Sequence, residues 1–389
     1  MAHLKEADVF EANSNQLALK ETAFEAAQSI LGPTLREDDE RETFRKDLFH
    51  QLGESGLCGI PTAESYGGLG LGYLEYAMVL EEVARVSASY AVTIAVNGLP
   101  QVILSRFGNE AQRQRWLPSL AAGHALGAFA LSEPGSGSDA ASLSTTARRD
   151  GDSYVLNGTK FWITHGGYAD VYVVMARTGA PGARGISAFL VEGSTPGLSF
   201  GKKEEKMGLR ASPTVELIFD NARIPAENLI GEEGQGFVVA LSALDSGRIT
   251  IGAVAVGIAQ ASLDVAAAYA CQRKQFNTSI IDFQGVGFML ADMASKVEYG
   301  RLLVHKAAWL RDNDRPYTSV AAMAKCVATD NSLAVASDAI QVLGGYGYTR
   351  EYPVERYLRD AKVMQIVEGT NQVQRVVIAR HLKRTYGGE

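Results

Sequence analysis

Glu368 stands in the segment Ile366-Val367-Glu368-Gly369-Thr370-Asn371-Gln372, with apolar residues before it and small polar ones after it. A carboxylate facing an apolar cleft has its pKa raised by desolvation, which suits a base that must hold a proton after taking it. On local chemistry alone, a Glu near a helix start is more often a surface or capping residue, because charges are rarely buried.

Four other segments carry residue types that could hold a flat or phosphorylated molecule. Phe129-Ala130-Leu131-Ser132-Glu133-Pro134-Gly135-Ser136-Gly137-Ser138-Asp139 offers hydroxyls and bare backbone that reach a polar ring or a phosphate, although it is equally an ordinary Gly/Ser turn. Phe161-Trp162-Ile163-Thr164 reads as an aromatic strand in which Trp162 and Thr164 share a face, where plain core packing is the alternative. Arg273-Lys274-Gln275-Phe276, followed by Gln284, could clamp a diphosphate and stack on a ring, or could be a basic interhelical loop. Gln341-Val342-Leu343-Gly344-Gly345 ends a helix, as double glycine routinely does, and also leaves backbone bare enough for a pyrophosphate.

These segments must be positioned by elements of three kinds. From about Asn15 to Gly123 the pattern is helical, with Leu17, Phe24, Ile30 and Leu31 on one stripe. Tyr76, Leu80 and Val83 form a second stripe beside an outward pair, Glu81 and Glu82. The runs Gly67 to Gly72 and Gly98-Leu99-Pro100 are expected to interrupt helices. From His124 to Glu233 short segments and dense turns predict a mainly antiparallel β domain, with Asn157-Gly158 as a hairpin turn and strands at 171–175, 186–191 and 215–219. After Gly234 the chain returns to helix: Phe237 to Cys271, Phe283 to Asp312, Ser319 to Leu343 and two shorter segments around Glu368, a set that can pack as a four-helix bundle. The expected fold class is therefore α+β and multidomain, with domains at 1–123, 124–233 and 234–389.

Length and composition agree with an enzyme-sized body. A chain of 389 residues exceeds the usual span of one core, and 46% hydrophobic with 21% charged residues predicts folding nearly throughout. Acidic residues outnumber basic ones, 44 to 37, and no long basic cluster exists, so nucleic acid is not an expected partner. Cys58, Cys271 and Cys326 are few, odd in number and scattered, which fits a reducing compartment. The six histidines, His3 among them, show no ligand spacing, so no metal site is expected. Met1 to Gln16 has no apolar core of a leader and no membrane span is read, so a cytoplasmic location is expected.

In order and spacing over nearly the whole chain, these segments closely resemble the acyl-CoA dehydrogenase family. Ser132-Glu133-Pro134-Gly135-Ser136-Gly137-Ser138-Asp139, Trp162-Ile163-Thr164, Arg273-Lys274-Gln275-Phe276, Gln341 to Gly345 and Glu368-Gly369-Thr370 fall where that family has its signatures. The resemblance implies an α-helical domain, a β domain and a C-terminal bundle, assembled as a homotetramer built from dimers. It implies FAD bound between subunits, with Phe129, Leu131, Ser132, Gly137, Ser138, Trp162, Ile163 and Thr164 around the flavin. Gln341, Gly344, Gly345, Thr370 and Gln372 would meet its diphosphate and ribityl parts, and Arg273, Phe276 and Gln284 would serve a neighbouring subunit's FAD. Asp245, Ser246 and Arg248, with Ser138 and Gly369, would hold the acyl-CoA.

The resemblance further implies that Glu368 takes the α-proton while the β-carbon gives a hydride to the flavin N5, as in fatty acid β-oxidation. It also implies that the Glu368 main-chain NH helps hold the thioester oxygen. Electron-transferring flavoprotein is the implied acceptor. Members specialised for isovaleryl-CoA or long chains carry the base immediately before the Arg of the long helix, where this chain has Gly247. Ala91 occupies the place where an Arg is expected for a dicarboxylic substrate, so such a substrate is disfavoured. Overall spacing is most like the short-chain, butyryl members. An acyl-CoA oxidase and a family member that keeps FAD without dehydrogenation are the competing readings.

Overall fold

The computed structural model describes residues 11–387, so the leader reading of Met1 to Gln16 and His3 fall largely or wholly outside the described residues. The chain opens with six helices: α1 (Ser14–Leu31), α2 (Leu35–Glu40), α3 (Lys46–Glu54), α4 (Tyr73–Val86), α5 (Ala88–Phe107) and α6 (Glu110–Ala121). Asn13 starts α1 with a capping box to Gln16, satisfying backbone donors that a helix start leaves free. The inner face of α1 is Gln16, Ala23, Ala27 and Leu31, whereas Leu17 is exposed, so the expected stripe is corrected by one position at its start.

Two further expectations fail in this region. Glu81 and Glu82 are buried, because α1 and the two later helices Gly236–Gln272 and Gln284–Asp312 pack around α4 and leave it no solvent face. Glu81 accepts from Arg301 Nε at 3.1 Å and pairs with His305 Nε2 at 2.9 Å. Glu82 pairs with Arg85 at 2.6 Å and Lys20 at 3.2 Å. Gly98-Leu99-Pro100 does not break a helix either: it lies inside α5, where a Cβ on Gly98 would stand 2.6 Å from the Tyr76 hydroxyl. The glycine there permits close packing.

The middle of the chain forms eight strands, β1 (Gly127–Ala130), β2 (Thr146–Asp150), β3 (Ser153–Thr164), β4 (Val171–Arg177), β5 (Ile186–Glu192), β6 (Leu198–Phe200), β7 (Thr214–Pro225) and β8 (Leu229–Ile230). They make one sheet in the order β6-β7-β3-β2-β4-β5-β8, with β1 on β4. It is mainly antiparallel, with β1 and β2 running parallel to β4. Asn157-Gly158 is a bulge inside a continuous β3, where the register against β7 shifts, because the positive φ that Gly158 supplies serves a bulge as well as a turn. The hairpin turn is instead Gly151-Asp152, bracketed by the Asp150 and Ser153 pair. Asn97 of α5 joins sheet and helices, donating to the Leu120 carbonyl at 3.0 Å and accepting from Gly127 N at 2.8 Å.

The rest of the chain is α7 (Gly236–Gln272), a small hairpin of β9 (Lys274–Gln275) and β10 (Thr278–Ser279), then α8 (Gln284–Asp312), α9 (Thr318–Leu343), α10 (Val354–Met364) and α11 (Asn371–Tyr386). The long helices α7, α8 and α9 pack on one another, α4 packs on α7, and α10 and α11 lie against α9. Small residues on α7 set these approaches: a Cβ on Gly252 would stand 2.8 Å from Val304, and one on Gly257 would collide with the Glu81 carbonyl. By length and composition alone α5 and α7 could cross a membrane, but their most apolar windows are 89% and 78% buried. That apolarity is spent on core packing.

Candidate active site

Glu368 sits in the connection between α10 and α11, with its backbone in the left-handed region at φ 55° and Gly369 following at φ 85°. Such a conformation is uncommon for a residue with a Cβ and is held by surroundings. Here Gln374 Nε2 donates to the carbonyls of Glu368 (3.1 Å) and Gly369 (2.8 Å), and Lys325 Nζ donates to the Gly369 carbonyl at 3.0 Å. Thr370 then caps α11 through Val373 N.

The turn aims the carboxylate at α7. Gly247 faces it directly, and Oε2 of Glu368 is buried without any hydrogen-bond partner. Burial pushes the Glu368 carboxyl up to about 7, with the positive charges of Arg248 and Lys325 pulling the other way. A lone, desolvated carboxylate whose proton affinity lies near neutrality is what a general base requires. Arg248 is itself buried, paired with Asp245 Oδ1 at 2.5 Å, and leaves its Nε without a partner. Two orphaned polar atoms of opposite charge, from α7 and the 368 turn, thus belong to one site.

The loop after β1 meets the strand β3. Phe161 N donates to the Ser132 carbonyl at 2.8 Å, and Lys160 Nζ donates to the Leu131 carbonyl at 3.1 Å and pairs with Glu133 at 2.7 Å. Glu133 also accepts from Ser144 N and Thr145 N, so the ion pair anchors the loop from both ends. These charges hold Glu133 down to about 2, while burial draws Lys160 down to about 8. Above this anchor Trp162 adopts φ 62° at a second register shift of β3 and is 60% exposed, with Ile163 buried and Thr164 half-buried. Gly137 and Ser138 lie exposed in the same loop, Leu131 is buried, and Phe129 and Ser132 are half-buried.

A second concavity gathers the helix-end motifs. A cleft of about 510 Å³ is lined by Tyr269, Arg273 and Gln275 on one side and Gly344, Gly345 and Tyr346 on the other. A Cβ would meet nothing within 4 Å at Gly344 or Gly345, and Gly344 has φ 60°, so the bare backbone faces open space beside a guanidinium. That combination fits a diphosphate-bearing cofactor. Phe276 is 90% exposed, Gln284 begins α8 and Gln341 is exposed beside the two glycines. Thr370 and Gln372 do not join this cleft. They line a separate pocket of about 360 Å³ with Asp330, Lys362 and Arg375. Neither concavity includes the Ser132 or Trp162 segments.

The remaining expected substrate contacts are already engaged within the chain. Asp245 accepts from Arg248 and from Thr318 Oγ1, and Ser246 Oγ accepts from Arg311 Nε at 3.2 Å. Among the described residues no His, Cys, Asp and Glu grouping could hold a metal ion. The sequence reading missed Lys325, Lys160 and Gln374. Lys325 could have been found from its phase, since it lies on the same face of α9 as the buried Ala321, Ala328 and Ser332.

The helical N-terminal unit, the sheet and the helical bundle together present a buried, partnerless carboxylate and a cleft that fits a diphosphate. Comparison with known proteins makes the class specific. Residues 13–124, 128–222 and 234–383 match the N-terminal, middle and C-terminal domains of acyl-CoA dehydrogenase. The short-chain specific acyl-CoA dehydrogenase of Rattus norvegicus mitochondria is 48% identical over 370 residues, covering 95% of this chain and 90% of that protein. Butyryl-CoA dehydrogenase from Megasphaera elsdenii superposes with a TM-score of 0.94 at 43% identity, covering 96% of this chain and 99% of that one. A chain in a structure described as the electron transferring flavoprotein of Acidaminococcus fermentans superposes with a TM-score of 0.95 at 46% identity, covering 96% and 99%. The chain belongs to the acyl-CoA dehydrogenase family.

Proposed function

We propose that this enzyme desaturates a short- or medium-chain acyl-CoA to the trans-2-enoyl-CoA, with Glu368 as the base for the α-proton. The observation that carries this reading is the buried, partnerless Oε2 of Glu368, facing Gly247 and flanked by Arg248 and Lys325. Its raised proton affinity lets it retain the proton it takes, and the nearby cations keep a useful fraction ionised at neutral pH. The Glu368 main-chain NH, fixed by the left-handed turn, supports the thioester oxygen as negative charge develops there. FAD, when bound, supplies the acceptor for the hydride that leaves the β-carbon.

The protein's part is to hold and orient. The Leu131-Ser132 loop and Trp162 to Thr164 would hold the flavin, with Gly137 and Ser138 at their edge. Arg273 with Gly344 and Gly345 would hold the diphosphate. The separation of these two groups in one chain supports a cofactor site completed by a second copy, hence an oligomer, with a homotetramer as the reading carried from the resemblance. The short-chain and butyryl names among the similar proteins support a short acyl chain, and the likeness to the electron transferring flavoprotein structure supports such a flavoprotein as redox partner.

The test is anaerobic flavin bleaching by a panel of acyl-CoAs of increasing chain length, with wild-type enzyme and Glu368→Gln. Bleaching is expected with wild type and short chains, and retained flavin without bleaching in the variant. A variant that bleaches at the wild-type rate removes Glu368 from the role.

A further inference from the structure

Lys325 is a lysine in the middle of a helix whose side chain is fully buried, and its ammonium is spent on the connection that carries the base. Its Nζ donates to the Gly369 carbonyl at 3.0 Å and to Asn371 Oδ1 at 2.9 Å. Asn371 in turn donates from Nδ2 to Thr329 Oγ1 at 2.9 Å and to Asp330 Oδ1 at 2.7 Å, and its backbone N donates to the Gln365 carbonyl. One lysine on α9 thereby grips the connection at Gly369, within the residue pair that carries positive φ, and again two residues beyond it at Asn371. Burying a cation costs several kcal/mol unless it is well partnered, so its position demands a return.

We infer that Lys325 is a positioning residue for the base, fixing the left-handed turn at Glu368-Gly369 from α9 and placing a positive charge beside the Glu368 carboxylate. This rests on the proposed role of Glu368. The charged groups facing that carboxylate are Arg248 from α7 and Lys325 from α9. Lys325 is faced by Glu368, Arg248, Cys326 and Asp330. Asp330 is already paired with Arg375 of α11 at 2.9 Å and accepts from Gln365 Nε2 at 2.7 Å, which leaves the ammonium's field directed at Glu368. Arg248 has its own counter-ion in Asp245, whereas Lys325 has only neutral acceptors among its hydrogen bonds. Lys325 is thus the cation whose charge is least compensated near the base.

The consequence separates two functions of one side chain. Loss of the charge lets the Glu368 carboxyl titrate higher, and loss of the donors loosens the turn. The test uses the holoenzyme and reads Glu368 directly. The infrared carboxyl stretch that vanishes in Glu368→Gln is titrated with pH in wild type, Lys325→Met and Asn371→Ala, alongside the pH profile of flavin reduction.

Lys325→Met is expected to move the carboxyl titration and the acid limb of the rate profile upward together by about one unit. Asn371→Ala, which keeps the ammonium, is expected to slow flavin reduction while leaving the titration within a few tenths of a unit of wild type, roughly the scatter expected for an unchanged charge set. Should Lys325→Met not retain flavin, Lys325→Gln, which keeps a donor for Gly369, must show the same upward movement. A folded Lys325 variant that titrates as wild type overturns the inference. A wild-type enzyme that no acyl-CoA bleaches would sink the proposed function, and the infrared titration would still report on Lys325.

Discussion

Gly247 of α7 and Glu368 of the α10 to α11 connection share one volume: a Cβ on Gly247 would stand 2.5 Å from Oε2 and 2.9 Å from Cδ of Glu368. The carboxylate occupies the space that any larger residue on α7 would need. Gly247→Ala should therefore push the carboxylate aside without removing it. A displacement of this size at a reacting group costs on the order of 10²-fold in rate. Stopped-flow flavin reduction checks this, and an alanine variant with the wild-type rate would show that the carboxylate works from another position.

The pH dependence follows from the same residue. With the Glu368 carboxyl at about 7, kcat/KM should rise as pH increases through about 7 under the proposed role of Glu368 as base, because only an ionised carboxylate can accept a proton. The sign for stability is opposite. The folded carboxyl holds its proton above its ordinary value, so its contribution is full below about 4.5 and is lost as pH rises through about 7. Comparing wild type with Glu368→Gln, by rate profile and by urea denaturation at each pH, should show both trends only in wild type.

Lys160 and Glu133 form a buried pair under the Leu131-Ser132 loop, with side-chain exposures of 0% and 4%. Lys160→Met should cost about 3–5 kcal/mol, since removing one partner leaves a buried charge uncompensated. Urea unfolding of the holoenzyme reads the loss, and the double variant with Glu133→Gln should recover part of it. Because Glu133 is held down to about 2, its contribution is present above its ordinary value of about 4.5 and is lost as pH falls toward 2.

His165 follows the aromatic strand and is buried against Phe44, with Nδ1 2.9 Å from the Gly127 carbonyl and Nε2 without a partner. Burial draws its imidazole down to about 4. Its neutral form is accommodated and its cation is not, so the stability it contributes is present above about 6.5 and lost as pH falls through about 4. Acid unfolding followed by near-ultraviolet circular dichroism should begin in that window, with a shallower slope in His165→Gln.

Much of the fold was legible because helix periodicity is local. The predicted starts at Phe237, Phe283 and Ser319 fall within one residue of α7, α8 and α9. What was misread depended on partners far away in the chain. Glu81 and Glu82 look like a solvent-facing pair until Arg301 and His305 arrive from α8. Asn157-Gly158 permits a turn or a bulge equally, and only the β7 partner decides between them. At the site, Glu368 was marked by its motif. Lys325 was passed over because an isolated lysine in a helix ordinarily faces water, and its acceptors lie more than forty residues further along.

Helix α7 runs unbroken for 37 residues, bearing Asp245 and Arg248 near its first third and delivering Arg273 at its end. At a rise of 1.5 Å per residue, roughly 38 Å of rigid rod separates the two arginines. Point substitutions along the rod alter packing locally, but inserting or deleting one residue between them would slide the far end by about 1.5 Å and rotate it by about 100°. The rod therefore works as a phased ruler, and length variation in this family member should be tolerated in its surface loops and refused between residues 249 and 272.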